Sequence, residues 1–170
     1  WGEEGRAIIV QARRVAKGLK VANSNSAQRV AYCQQLLTGR GSDPSLLELS
    51  KPLAVLSTDD RHYWVGVFYT LLLSDQQRRD QAAYFTPPYL ANAVLDLACE
   101  FGFDLATHTA LDPAAGGAAF LSTIAGRMSA AGVDTASICS RLEGAEIDLG
   151  LARISRMLVA ERLQLGKTSA

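Results

Sequence analysis

The stretch ALDPAAGGAAFL, residues 110–121, decides how the second half of the chain folds. A short apolar run ends at Asp112, and every position from Ala114 to Ala119 is alanine or glycine. The pattern predicts a strand over about 107–111, a tight loop, and a helix from about residue 118 to residue 130. A loop of such small residues lets a ligand approach the main chain and reach the N–H groups that open the helix.

A second strand is predicted over about 142–147, in the sequence LEGAEI, followed by a last helix that carries Leu151, Ile154 and Leu158. Strand, glycine loop, helix, strand and helix in this order are typical of the front end of a doubly wound α/β sheet. Glu146 falls at the carboxyl end of the second strand, where its carboxylate can accept two hydrogen bonds from a ribose diol. A structural turn and a solvated carboxylate are the alternative explanation, but the two features together favour nucleoside binding.

A nicotinamide dinucleotide is the competing ligand for a glycine loop of this kind. Its fingerprint, G-x-G-x-x-G, would require glycines at positions 118 and 121 if it began at Gly116. Those positions hold Ala118 and Leu121. The sequence therefore disfavours a dinucleotide.

Three segments between residues 84 and 148 resemble motifs of the adenine-N6 DNA methyltransferases of restriction–modification type, class I enzymes that use S-adenosylmethionine. The first cofactor motif of that family, Asp-Pro-Ala-Cys-Gly-x-Gly-x-Phe-Leu, compares with DPAAGGAAFL at 112–121. The second, Gly-x-Glu-Ile-Asp, matches GAEID at 144–148, and the upstream Tyr-Tyr/Phe-Thr-Pro matches YFTP at 84–87. Ala118 departs from the pattern, because the family usually has glycine there.

The resemblance implies an α/β fold: a helical N-terminal region over 1–80, then over 81–170 the first βαβα part of a Rossmann-like, S-adenosylmethionine-dependent methyltransferase fold, truncated. It implies that Thr86 and its neighbours touch the methionine end of the cofactor and that Glu146 holds the ribose hydroxyls. The loop from Asp112 to Gly116 would line the methionine and sulfonium portion, with Ile147 beside the adenine ring. The cofactor site implied in this way comprises Tyr84, Thr86, Asp112, Pro113, Ala114, Gly116, Glu146 and Ile147.

The tetrapeptide TPPY at 86–89 resembles the catalytic Asn/Asp/Ser-Pro-Pro-Tyr/Phe of this family, which grips the target amino group and stacks on a flipped base. That element follows a buried strand, whereas Thr86 follows the polar run DQQRRDQAA. Thr86 at an N-cap and Pro87 at the first helical position explain both residues without chemistry. We therefore predict that TPPY opens a helix bordering the cofactor pocket and is not catalytic.

No Asn-Pro-Pro-Tyr occurs after Asp148, so we expect the chain to be a fragment that is inactive by itself, while its full-length parent methylates DNA. A specificity or restriction subunit is a further partner implied by the family. Two alternatives stay open: a non-catalytic, methyltransferase-like interaction module, and a methyltransferase that acts on RNA or protein. Because a truncated sheet would expose an apolar edge, we also predict self-association.

The first half of the chain reads as helical. Ile8, Ala12, Val15 and Leu19 recur at helical spacing, and Val30, Cys33 and Leu37 define a second amphipathic helix. Asp43-Pro44 predicts the start of a third helix, and STDD at 57–60 predicts the start of a fourth. The aromatic and aliphatic positions of the fourth helix predict core packing rather than a base-stacking surface.

Composition limits the classes of function. The 17 basic and 17 acidic side chains balance, so this segment carries no large basic field for nucleic acid. No apolar run approaches the roughly 20 residues that span a bilayer, which predicts a protein outside the membrane. Cys33, Cys99 and Cys139 lie far apart and predict reduced core thiols of a cytoplasmic protein. With only two histidines beside them, no metal site is predicted.

Overall fold

A computed structural model describes residues 2–20, 25–80 and 85–165. The chain divides into two compact units, Trp1–Phe85 and Thr86–Ala170. The sequence analysis placed the division at residues 80 and 81.

The described part of the first unit is helical. Its helices are α1 Gly2–Lys20, α2 Ser26–Thr38, α3 Pro44–Ala54, α4 Thr58–Leu72 and α5 Asp75–Asp80. The sequence signals for the starts of α3 and α4 are confirmed: the side chain of Asp43 accepts from the N–H groups of Ser45 and Leu46, and Ser57 accepts from Asp60 N–H. Such caps satisfy N–H groups that have no partner inside the helix.

Helix α4 supplies the core of this unit, and both α1 and α2 pack against it. The prediction that the aromatic positions are core residues is confirmed for Trp64 and Phe68, which are buried, whereas Tyr63 is half-buried. Helix α2 buries Cys33 and Leu36, whereas the predicted core residue Leu37 is only half-buried.

The second unit combines helices with two short strands. Its elements are α6 Pro88–Glu100, β1 Ala110–Asp112, α7 Ala119–Ala130, α8 Thr135–Arg141, β2 Leu142–Gly144 and α9 Leu149–Arg162. Strands β1 and β2 are parallel, with Ala110 opposite Leu142 and Asp112 opposite Gly144. Helix α7 packs against α6, α9 and both strands. This arrangement is compatible with the predicted α/β class, and the predicted helices after each strand are confirmed.

Both strands are shorter than the sequence analysis expected. Residues 107–109 lie outside β1: Thr107 ends a turn in which its Oγ1 donates to Asp104 Oδ2 at 2.7 Å, and His108 N–H donates to the Asp104 carbonyl at 2.9 Å. The hydrogen bond from the Thr107 hydroxyl, together with one from Ala106 N–H, lowers the pKa of the Asp104 carboxyl. The short helix α8 was not anticipated; Asp134 caps it by accepting from Ser137 N–H at 2.9 Å.

The start of α6 differs by one residue from the prediction. The N-cap is Pro87, whose side chain makes no capping hydrogen bond, and Pro88 occupies the first turn. Thr86 is therefore not the N-cap. The reason is steric: a residue that precedes proline is disfavoured in the helical region, and Pro87 keeps an extended ψ of 147° ahead of Pro88.

The buried face of α6 also differs from the prediction. The helix turns Ala91 and Leu95 inward, and it packs against α7. The apolar positions that the sequence analysis assigned to its core face, Leu90, Val94, Leu97 and Phe101, are exposed. Only Ala98, the remaining position of that face, is half-buried.

Candidate functional site

The loop after β1 and the segment after β2 meet at the carboxyl edge of the sheet. Ala145 N–H donates to the Asp112 carbonyl at 2.9 Å, and Ala115 N–H donates to the Ala145 carbonyl at 2.9 Å. These two main-chain bonds continue the pairing of the strands beyond their ends. They hold the glycine loop against the segment that carries Glu146.

Glu146 links the two segments through its side chain. Its Oε2 accepts from Gly116 N–H at 2.8 Å, and its Oε1 accepts from Asp148 N–H at 2.9 Å. Gly116 has φ 49°, in the left-handed region that glycine adopts without steric cost. The two residues that the sequence analysis singled out most strongly therefore lie in direct contact.

Asp112 closes the other side of the loop. Its Oδ1 accepts from Ala114 N–H at 3.1 Å, and its side chain is half-buried at the end of β1. Pro113 and Ala114 are exposed, and Ile147 is 91 % exposed beside Glu146. The structure thus brings together Asp112, Ala114, Gly116 and Glu146.

The upstream residues of the predicted site are not joined to this cluster. Tyr84 lies outside the described residues. Thr86 is half-buried directly before α6, and within the ranges that the structure describes no hydrogen bond connects it to the loop or to Glu146. Their assignment to the cofactor site stays a prediction.

Two neighbours of the site had no role in the sequence analysis. A Cβ at Gly144 would lie 2.7 Å from Leu121 Cδ1 and 3.2 Å from Ala115 Cβ, so a larger residue there requires the Leu121 side chain to shift. Asp148 fixes the other end of the segment by accepting from Leu151 N–H at 2.8 Å as the N-cap of α9. Asp148 was detectable, since an aspartate directly before an apolar helical pattern is an N-cap signature.

Ala118, the departure from the family pattern, adopts the left-handed conformation, with φ 60° and ψ 27°. The residue is fully buried, so its methyl group faces the protein interior and does not contribute to the accessible surface of the loop. The departure therefore costs backbone strain, on the order of 1–2 kcal/mol for a residue that carries a Cβ. It does not narrow the space that a ligand would enter.

We predict that Ala118→Val lowers the free energy of unfolding by more than about 2 kcal/mol, because a β-branched side chain at positive φ is strained and this site has no spare room. Ala118→Gly should change it by less than about 0.5 kcal/mol, since relief of strain offsets the lost methyl burial. Urea denaturation followed by circular dichroism measures both. Ala119→Val is the matched control on the next residue, the first of α7; an equal loss there would contradict the explanation.

A groove of about 440 Å³ runs from the site along α9. Ala115, Gly144 and Glu146 line one end, and Val159 and Leu163 line the other. The groove therefore overlaps the predicted cofactor site only at its Glu146 end, and most of its wall is apolar.

No family model, curated protein sequence or solved structure matches the chain.

The cysteines are only partly as predicted. Cys33 is buried, its Sγ lies 3.8 Å from the Val65 carbonyl oxygen, and burial raises the pKa of its thiol. Cys99 is half-buried. Cys139 is exposed, so its assignment to the core was wrong: α8, which the sequence analysis did not anticipate, buries Ile138 and turns the next side chain outward.

In residues 2–20, 25–80 and 85–165, no three histidine, cysteine or carboxylate side chains group as metal ligands. None of the helices in these ranges is long and apolar enough to cross a membrane.

Proposed function

We propose that residues 86–170 form the cofactor-binding part of an S-adenosylmethionine-dependent methyltransferase that modifies the N6 amino group of adenine in DNA. The observation that carries this proposal is the contact between Glu146 and Gly116 at the end of two parallel strands. Open α/β sheets bind their ligands at that edge, and a carboxylate after the second strand is suited to a ribose diol.

The hydrogen bonds of Glu146 leave room for such a diol. A carboxylate offers about four acceptor positions. Glu146 uses one on each oxygen, for Gly116 and Asp148, so one acceptor position per oxygen is left for a ribose hydroxyl. Hydrogen bonds to a charged acceptor are stronger than those between neutral groups.

The surroundings of Glu146 suit the other parts of S-adenosylmethionine. Ile147 presents an exposed apolar side chain, against which an adenine ring can pack. Asp112 provides negative charge at the neighbouring strand end, where it would attract the sulfonium and the α-amino group. The exposed main chain at Pro113 and Ala114 permits close approach along the loop.

We assign binding of the methyl donor to this chain, but we do not assign transfer of the methyl group to it. The 170 residues contain no Asn-Pro-Pro-Tyr or Asp-Pro-Pro-Tyr, and TPPY begins α6. The family resemblance supports DNA as the methyl acceptor and a specificity or restriction subunit as a partner. The cysteine pattern supports a cytoplasmic location.

One observation favours the second candidate, a non-catalytic interaction module. Helix α6 exposes a continuous apolar face, which is typical of protein contacts rather than of chemistry. The two functions are separable, because an interaction module need not bind S-adenosylmethionine.

Isothermal titration calorimetry tests the proposal. S-adenosylmethionine and S-adenosylhomocysteine should bind one to one and compete with each other, while NAD and ATP, which also carry a ribose diol, should bind at least about tenfold more weakly, a difference of 1.4 kcal/mol. Equal binding of NAD would favour a general nucleotide site. Absence of any S-adenosylmethionine binding would overturn the proposal and leave the interaction module.

A transfer assay separates donor binding from catalysis. The chain, radiolabelled S-adenosylmethionine and unmethylated DNA should yield no labelled DNA. Labelled adenine would contradict the prediction that TPPY is not catalytic and that this chain does not transfer the methyl group.

A further inference from the structure

The exposed apolar face of α6 has the spacing of a helix–helix contact. Leu90, Val94, Leu97 and Phe101 follow one another at intervals of four, three and four residues, which is the spacing of a coiled-coil seam. Their exposed fractions are 44, 44, 53 and 85 %. We call these four residues the α6 seam. Its narrow, straight stripe is suited to another helix.

A groove lies beside the seam in the same unit. Its volume is about 130 Å³, and its lining includes Ala91, Val94, Ala98 and Phe120. The lining has a single side-chain hydroxyl, that of Thr123, and this hydroxyl donates to the Ala119 carbonyl at 2.8 Å. An apolar cavity of about 150 Å³ accommodates benzene. The groove therefore suits one phenyl ring.

We propose that the chain forms a two-fold symmetric dimer in which two α6 seams pack antiparallel and Phe101 of each copy enters the groove of the other. A two-fold interface must be self-complementary. The seam supplies both halves of such a contact on one surface: a protruding phenyl ring and an apolar groove of matching size.

Charge favours the antiparallel orientation. Glu100 is exposed at the C-terminal end of α6, where the helix dipole opposes a negative side chain. Antiparallel packing places Glu100 near the N-terminal end of the partner helix, where the dipole favours it. Parallel packing would bring the two Glu100 carboxylates together.

The area is sufficient for a weak dimer. A fully exposed large apolar side chain presents about 200 Å², so the α6 seam offers roughly 450 Å² per copy. Two copies bury about 900 Å² before the groove walls are counted, close to the lower limit of about 1,000 Å² for a specific interface. We therefore expect dissociation in the micromolar range.

Sedimentation equilibrium from about 5 to about 500 µM chain tests the dimer. The wild type should pass from monomer to dimer, and Phe101→Asp should raise the dissociation constant at least about 30-fold, because it places a charge in the groove. Tyr89→Asp is the matched control, an exposed aromatic residue on α6 outside the seam. A monomeric wild type, or equal effects of both substitutions, would overturn the proposal.

Disulfide trapping tests the orientation in a chain that also carries Cys99→Ser and Cys139→Ser. Antiparallel packing places Val94 opposite Leu97 of the second copy. A mixture of the Val94→Cys and Leu97→Cys chains should then cross-link, and neither chain should cross-link alone. Cross-linking of Val94→Cys with itself would show parallel packing and overturn the antiparallel dimer. The proposal does not depend on S-adenosylmethionine binding, so either can fail without the other.

Discussion

Glu146→Ala is expected to weaken the proposed binding of S-adenosylmethionine by at least about 100-fold. The substitution removes the proposed acceptor for both ribose hydroxyls. Hydrogen bonds to a charged group contribute about 1.5–3 kcal/mol each, and 1.4 kcal/mol corresponds to a factor of ten. Isothermal titration calorimetry on the folded variant measures the loss. Glu143→Ala is the matched control: it removes the same charge from an exposed position on β2 and should change the affinity by less than about twofold.

The same variant also removes the acceptor for Gly116 and Asp148 N–H, so lost binding must be separated from a displaced loop. A ligand lacking one ribose hydroxyl makes this separation. To the wild type, this ligand should bind more weakly than S-adenosylmethionine. To Glu146→Ala, the two ligands should bind equally, because the carboxylate that would accept from the hydroxyl is absent. If loss of the hydroxyl still weakens binding to the variant, Glu146 is not the hydrogen-bond partner of that hydroxyl.

Phe68→Ala is expected to lower the free energy of unfolding of the first unit by about 3–5 kcal/mol, because Phe68 is fully buried and a cavity remains after truncation. Tryptophan fluorescence during urea denaturation reports this unit, since both tryptophans, Trp1 and Trp64, lie within it.

Val55→Ala is the control for this substitution. It truncates an exposed side chain directly after α3 and should change the free energy of unfolding by less than about 0.5 kcal/mol. A loss below about 1 kcal/mol for Phe68→Ala would show that α4 does not supply a close-packed core.

Local chemistry explains the features that could be predicted from the sequence. The cap at Asp43 and the helix start at Pro44 depend on the side chains present and on few others. The contact between Asp112–Gly116 and Glu146 was also predictable, because the carboxyl ends of adjacent parallel strands share an edge. The periodicity of α9 was sufficient to identify Leu151, Ile154 and Leu158 as buried.

Features that depend on tertiary partners could not be predicted. The spacing of apolar residues in α6 predicts that one apolar stripe is buried. In the structure, α6 packs against α7 and buries Ala91 and Leu95 instead, so the stripe is exposed. The first strand was overestimated at its start because its sequence does not show that the turn at Asp104 competes with strand pairing. The positive φ of Ala118 could not be predicted, because alanine is a residue type that adopts helices readily.

The carboxylate of Glu146 accepts a hydrogen bond from the main chain of Gly116, 30 residues earlier in the sequence. The proposed binding surface is consequently held in place by the protein's own hydrogen bonds, and a ligand that binds there would cost little conformational entropy. We expect the backbone of residues 112–117 to move little when a ligand binds. Association should then be limited by diffusion and not by slow ordering of the loop. Differences in affinity among nucleosides should appear mainly in their dissociation rates.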